Sequence, residues 1–276
     1  MEDRSKFSIT VEDFSLFPVP NWARIETYHL DFRKLLRGNL SPDDTVSLTV
    51  PLGVFLANPD LPQRCNNIVL RTDDTNLSIV LENTRRFRST ISHCTLSPNQ
   101  TDSSLMVILP SLGIPITLLP YEDWRQDDID TISDYFLFSP SLNVRIEPFF
   151  SLVPSMNGDG LNMWDIFQER LGNTFYIDVR NRVTLSERWA KENVFFGEAR
   201  DDPNRMPGTQ EWRQIEDLHA DLFSALTECS TCQHYHFCHG FFKAVNRQRD
   251  CTLWRSAFSK VVETYLSYNQ RTAGIE

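Results

Sequence analysis

The stretch CSTCQHYHFCHGFFKAVNRQRDC, from Cys229 to Cys251, holds four of the six cysteines of a 276-residue chain. Cys229 and Cys232 form a C-x2-C pair, Cys238 follows after five intervening residues, and Cys251 after twelve more. Thiolates two residues apart turn toward one ion or cluster within a tight loop, and two further thiolates complete a four-sulfur cage. Such a cage suits an iron–sulfur cluster or zinc. Structural zinc sites generally use two short knuckles of about two to four intervening residues, so the longer gap before Cys238 weighs toward iron and sulfide. His234, His236 and His239 interleave with the cysteines and have the chemistry to replace a thiolate. Because four cysteines already complete the set, these rings are expected to hydrogen-bond around it or to face solvent. Cys65 and Cys94 stand alone in apolar or mixed segments and read as small core residues.

Other chemistry is sparse. There is no phosphate-cradling G-x-x-x-x-G-K-[ST] or G-x-G-x-x-G loop, no G-x-S-x-G elbow and no H-E-x-x-H pair. Glu147, before Pro148, stands where a barrel strand would end, but without a second converging group it reads as a structural carboxylate. The acidic residues at 122, 123, 127 and 128 suit the first turn of a helix better than a cation site. The loop MNGDGLNMWD, 156–165, reads either as the lining of a cleft or as a plain lead-in to a helix.

Two helices must hold the cysteine stretch. EWRQIEDLHADLFSALTE, 211–228, puts Trp212, Ile215, Leu218, Leu222, Phe223 and Leu226 on one stripe, and Leu253, Trp254, Ala257, Phe258, Val261, Val262, Tyr265 and Leu266 form another beyond Cys251. Upstream, FYIDV and RVTLS flank Arg180-Asn181 as a hairpin. Over the first two thirds, β-type runs recur at 45–56, 66–71, 77–82, 104–110, 114–120 and 142–150, and a helix is predicted over 122–138. Strands alternating with helices imply an α/β fold with a largely parallel sheet. The expected architecture is a partial (β/α) barrel-like domain over 1–171, followed by a small cysteine-rich C-terminal domain over 172–276.

The chain is 41% hydrophobic and 23% charged, with a net charge of −10. That sign repels phosphate backbones and anionic lipid, so nucleic acid and membrane surfaces are not expected partners. The start MEDRSKFSIT has no apolar signal run, and the apolar stretch 104–120 is broken by Pro110, Pro115 and Pro120. A cytoplasmic location is therefore expected, where clustered thiols bind metal more often than they form disulfides.

The cysteine stretch resembles the C-terminal SPASM extension of radical S-adenosylmethionine enzymes, in which a C-x2-C-x5-C-x3-C run and a distant cysteine bind auxiliary [4Fe-4S] clusters. The resemblance implies that Cys229, Cys232, Cys238 and Cys251 ligate one auxiliary-type [4Fe-4S] cluster. Phe242 stands where the family has a further cysteine, and Ser186 stands where a cysteine follows the family's hairpin. Both belong to the other auxiliary cluster, whose loss they imply. VSLTVPLGVFLANPD resembles the family's first barrel strand, yet no cysteine lies between Pro51 and Asn58, where a C-x3-C-x2-C motif would bind the cluster that cleaves S-adenosylmethionine. Such a degenerate relative resembles accessory proteins of ribosomal peptide modification, which bind a peptide substrate or a partner modification enzyme. Two other readings stay open: a redox enzyme or electron carrier using the single cluster, and a zinc-stabilised binding domain.

Overall fold

The computed structural model describes residues 8–11, 47–51, 67–72, 77–86, 91–98, 104–121, 123–139, 144–167, 169, 171, 174–178, 180, 182–198, 201, 203–224 and 228–273. The larger of two sheets contains β2 (Ser47–Pro51), β3 (Asn67–Thr72), β4 (Ile91–Leu96), β5 (Ile116–Leu118) and β6 (Ile146–Glu147), in that spatial order and with every neighbouring pair parallel. Sequential order without reversal is the winding of a barrel sector; a doubly wound sheet reverses at a switch point. Parallel neighbours cannot be joined by a tight turn, so the chain must cross over between them. Helices α1 (Leu77–Arg86), α2 (Leu105–Ser111) and α3 (Gln126–Phe138) occupy the three crossovers from β3 to β6.

That requirement corrects two strand expectations. The runs 77–82 and 104–110 are helical, because each bridges two parallel strands. In α2 the buried Leu105, Met106 and Leu109 fall on one helical face, and Pro110 sits in the last turn, where the helix ends at Ser111. A short apolar run has no period of its own to tell strand from helix. The strand ISHCTL at 91–96, not anticipated, supplies the partner between β3 and β5. The expected strand over 142–150 is reduced to β6, after which α4 (Phe149–Ser155) begins.

The smaller sheet has the order β1 (Ser8–Val11), β7 (Thr174–Ile177), β8 (Arg182–Thr184) and β9 (Gly197–Glu198). β7 and β8 are the expected hairpin, and the Asp178 carboxylate closes its turn by accepting the backbone N–H groups of Arg180 and Arg182, each at 2.9 Å. β1 pairs with β7 in parallel, so a strand from the chain's start lies in the same sheet as the hairpin. Both expected flanking helices are present, as α7 (Gln210–Ser224) and α9 (Thr252–Ala273). Trp212, Ile215, Leu218 and Leu222 are buried as predicted, whereas the side chain of Phe223 and residue Leu226 lie outside the described set.

α9 packs back on α3 and α4, with Lys260 Nζ 2.8 Å from Asp134 and the rings of Phe149, Trp254 and Phe258 in contact. A single apolar cluster extends from Ile91 in the larger sheet to Val261 in α9. Among the described residues, no helix is long and apolar enough to cross a membrane.

Candidate metal centre

The cysteine stretch is a chain of turns. Cys232 N–H donates to the Cys229 carbonyl at 3.2 Å, Tyr235 N–H to the Cys232 carbonyl at 3.0 Å, and Cys238 N–H to the His234 carbonyl at 2.9 Å. The last turn belongs to a short helix, α8 (Tyr235–Cys238). His239 and Gly240 then adopt left-handed backbone at φ 48° and 75°, reversing the chain into a 3-10 turn over Phe241–Lys243. At Gly240 a side chain is excluded twice: by the sign of φ, and because a Cβ would lie 2.5 Å from Leu222 Cδ1. The reversal brings the backbone N–H groups of Phe242 and Phe241 onto the sulfur of Cys238.

Cys229, Cys232, Cys238 and Cys251 all line one cavity, together with Glu228, His234, Tyr235, Gly240, Phe242, Lys243, Arg255 and Phe258. None of the four is in a disulfide. Burial pushes the Cys238 thiol up to about 12, the two backbone N–H groups only partly opposing it, and burial with the nearby Glu228 carboxylate pushes Cys251 up to about 11. Left to themselves these sulfurs keep their protons. A bound cation inverts that balance, because its charge stabilises thiolate more than burial penalises it. Among the described residues, no three His, Cys, Asp or Glu side chains close on a point able to hold a single metal ion. The sulfurs line a cavity wall.

The histidines make other bonds. His234 is 3% exposed; its Nε2 lies 2.9 Å from Ser259 Oγ and its ring meets the edge of Phe258, while burial lowers its basicity to about 4 and keeps the ring neutral. His236 Nδ1 pairs with the Gln233 carbonyl at 3.0 Å. His239 Nε2 pairs with the His236 carbonyl at 2.7 Å, and its ring stacks on Tyr235. Cys94 is fully buried in β4 as a core residue, and Cys65 lies outside the described residues. The C-x3-C-x2-C position after β2 lies there as well.

Remaining candidates resolve as structural groups. Glu147 accepts the Ser151 hydroxyl at 2.6 Å and the Arg145 guanidinium, and is buried. Asp128 is held by Arg125 at the start of α3. In the 156–165 loop, Asn162 and Asp165 form a reciprocal capping box for α5 (Met163–Ile166), so the loop is a helix lead-in. No motif marks the group that braces the site. Arg188, in α6 (Glu187–Lys191), donates through Nε and Nη2 to Glu169 and through Nη1 to the Phe241 carbonyl. Trp164 Nε1 donates to the His239 carbonyl at 3.2 Å from α5. Only the enrichment of aromatics near 164, 189 and 241 hinted at such a junction.

No family model matches the chain, and no curated protein matches it. Solved structures do. Native anSMEcpe with bound AdoMet and Cp18Cys peptide superposes with a TM-score of 0.53 at 13% identity, covering 88% of this chain and 81% of that one. Native anSMEcpe with bound AdoMet gives 0.52 at 12% identity, covering 88% and 78%. At these identities the likeness speaks to fold alone, and the mixed α/β architecture with its parallel sheet is consistent with a partial radical SAM-like fold.

Proposed function

We propose that this chain is an accessory or maturation protein of ribosomal peptide modification, carrying one auxiliary-type [4Fe-4S] cluster and no radical SAM cluster. Its ligands are Cys229, Cys232, Cys238 and Cys251, within a SPASM-like segment over 172–276, and it binds a peptide or a partner modification enzyme. The observation that carries the reading is the convergence of these four thiols, none in a disulfide, on one cavity, with two backbone N–H groups on a sulfur. The five-residue gap between Cys232 and Cys238, longer than a structural zinc knuckle usually has, supports a polynuclear cluster over zinc. The peptide in a neighbouring structure supports a peptide as the bound partner. The absence of cysteine between Pro51 and Asn58 supports a chain without the S-adenosylmethionine-cleaving cluster.

Bound there, the cluster would supply a one-electron centre and a cross-link between the loop and α9. The protein's own part is to withhold bulk water from Cys229, to aim amides at the sulfur of Cys238, and to fix the loop against α5 and α6. An electron-carrying role is the second reading, favoured by Cys232: it lines both the cage cavity and an adjoining polar groove formed by Thr231, Gln233, Thr252, Ser256 and Ser259. A cluster held by Cys232 would have this polar groove beside it as a route for electron exchange.

Anaerobic purification followed by iron, sulfide and zinc analysis tests the assignment. Brown protein with about four irons per chain is expected, and alanine at any of the four cysteines should strip it, whereas Cys94→Ala and Cys65→Ala should not. Colourless protein with stoichiometric zinc overturns the cluster. Exposure to S-adenosylmethionine and reductant should yield no cleavage products.

A further inference from the structure

Beside Cys251 the chain pairs a nearly buried lysine with a half-exposed glutamate, a charge pair that a four-cysteine cage does not itself need. Lys243 is 8% exposed, and its Nζ donates to the Arg249 carbonyl at 2.9 Å, to the Arg247 carbonyl at 3.3 Å and to Glu228 Oε1 at 2.5 Å. The same Glu228 oxygen accepts the Cys251 thiol at 3.5 Å. Both residues line the cavity shared by the four cysteines. An ammonium at this depth is costly unless anions compensate it, and Glu228 is itself about half exposed, with 47% of its side chain accessible. A cluster ligated by thiolates is the larger anion, and its field and that of Lys243 act on each other across a cavity that excludes most water.

We propose that the Glu228–Lys243 pair sets the reduction potential of the cluster on Cys229, Cys232, Cys238 and Cys251, Lys243 raising it and Glu228 lowering it; this rests on the cluster assignment above. Both are positioning residues, acting on the cluster through its field and through Cys251. The charge of an added electron falls on iron and sulfide, so a nearby cation favours the reduced form and a nearby anion opposes it. A cluster that only cross-links the fold has no use for such tuning, so the pair also bears on which role the cluster plays.

The test uses the full chain purified anaerobically, as wild type, Lys243→Met, Lys243→Arg, Glu228→Gln and the Lys243→Met/Glu228→Gln double variant. Iron and sulfide are measured first, then the midpoint by potentiometric titration followed by electron paramagnetic resonance. At the wild-type midpoint, the reduced-to-oxidised ratio should fall about tenfold in Lys243→Met, equivalent to about 59 mV for a one-electron couple. It should rise severalfold in Glu228→Gln, stay near wild type in Lys243→Arg, and lie between the single variants in the double variant. Unchanged midpoints, or shifts of the same sign in Lys243→Met and Glu228→Gln, overturn the proposal. Should Lys243→Met fail to hold the cluster, Glu228→Gln decides alone, since glutamine keeps the size and hydrogen-bonding capacity of a half-exposed side chain, and an unmoved midpoint there also overturns it. Wild type without iron defeats the cluster assignment itself, a result visible before any titration begins.

Discussion

The Arg188 guanidinium lies 3.8 Å from the centre of the Phe241 ring and donates a hydrogen bond to that residue's own carbonyl at 2.6 Å. Its other nitrogens hold Glu169, and both charged side chains are almost wholly buried, at 5% and 2% exposure. One side chain thus pins the turn after Cys238 to the segment between α5 and β7. Removing one partner of such a pair leaves a buried charge uncompensated, at a cost of about 3–5 kcal/mol. Arg188→Met and Glu169→Gln should each lower urea stability by that order and reduce iron retention with it. Arg188→Lys should not restore either, because a point ammonium cannot serve Glu169, the carbonyl and the ring at once. Wild-type stability in Arg188→Lys would disprove the bracing role.

A second prediction concerns acid. Burial, reinforced by the Arg145 charge, lowers the His93 imidazole in β4 from its ordinary value to about 4. The unfolded chain therefore takes up this proton near pH 6.5, while the folded chain resists it until about pH 4. The contribution is complete above about pH 6.5 and is lost as pH falls through that window, amounting to about 2 kcal/mol by pH 5. Urea midpoints at pH 7 and pH 5 measure it. His93→Gln should flatten this part of the profile, and an equal acid loss in that variant would assign it elsewhere.

Thr184 is fully buried in β8, and its hydroxyl has no hydrogen-bond partner among the described residues. A buried hydroxyl left unmatched costs about 1–3 kcal/mol, and valine has the same shape and a better strand preference. Thr184→Val should therefore raise stability by about 1 kcal/mol in urea unfolding. A loss of stability instead would mean that something not described here satisfies the hydroxyl.

What was legible in the sequence follows from how local each signal is. The cysteine spacing, the hairpin and the helices at 126–138, 210–224 and 252–273 carry their own periodicity or turn chemistry, and they stand where expected. The runs LSIVLE and SLMVILP lack it, because their assignment depends on lying between parallel strands, a tertiary fact. ISHCTL was hidden for the same reason, its polar Ser92 and His93 breaking the apolar run that marks a covered strand. At the site, the four cysteines were evident, but Arg188, Glu169 and Lys243 were not: each acts through partners between 4 and 53 residues away. Long-range polar contacts leave no pattern in the chain.

Phe242 links the sequence reading to a final prediction. Where the resembling family carries a cysteine, this side chain is 4% exposed, stacks on Trp254 at 5.9 Å and meets Phe241 edge-on at 6.1 Å. It also forms part of the wall of the four-cysteine cavity. A thiol at 242 would therefore join the rim of the existing cage, not begin a second one. Ser186, the other such position, lies at the start of α6 with its hydroxyl buried and unmatched. Phe242→Cys should cost roughly 3–5 kcal/mol, as for other deletions of a buried ring. The Phe242→Cys/Ser186→Cys double variant should hold no more iron per chain than wild type after anaerobic reconstitution. Iron rising to about twice the wild-type content, with a second magnetic signal, would show that two thiols suffice to restore a lost cluster, and that the rest of its cage has survived unrecognised.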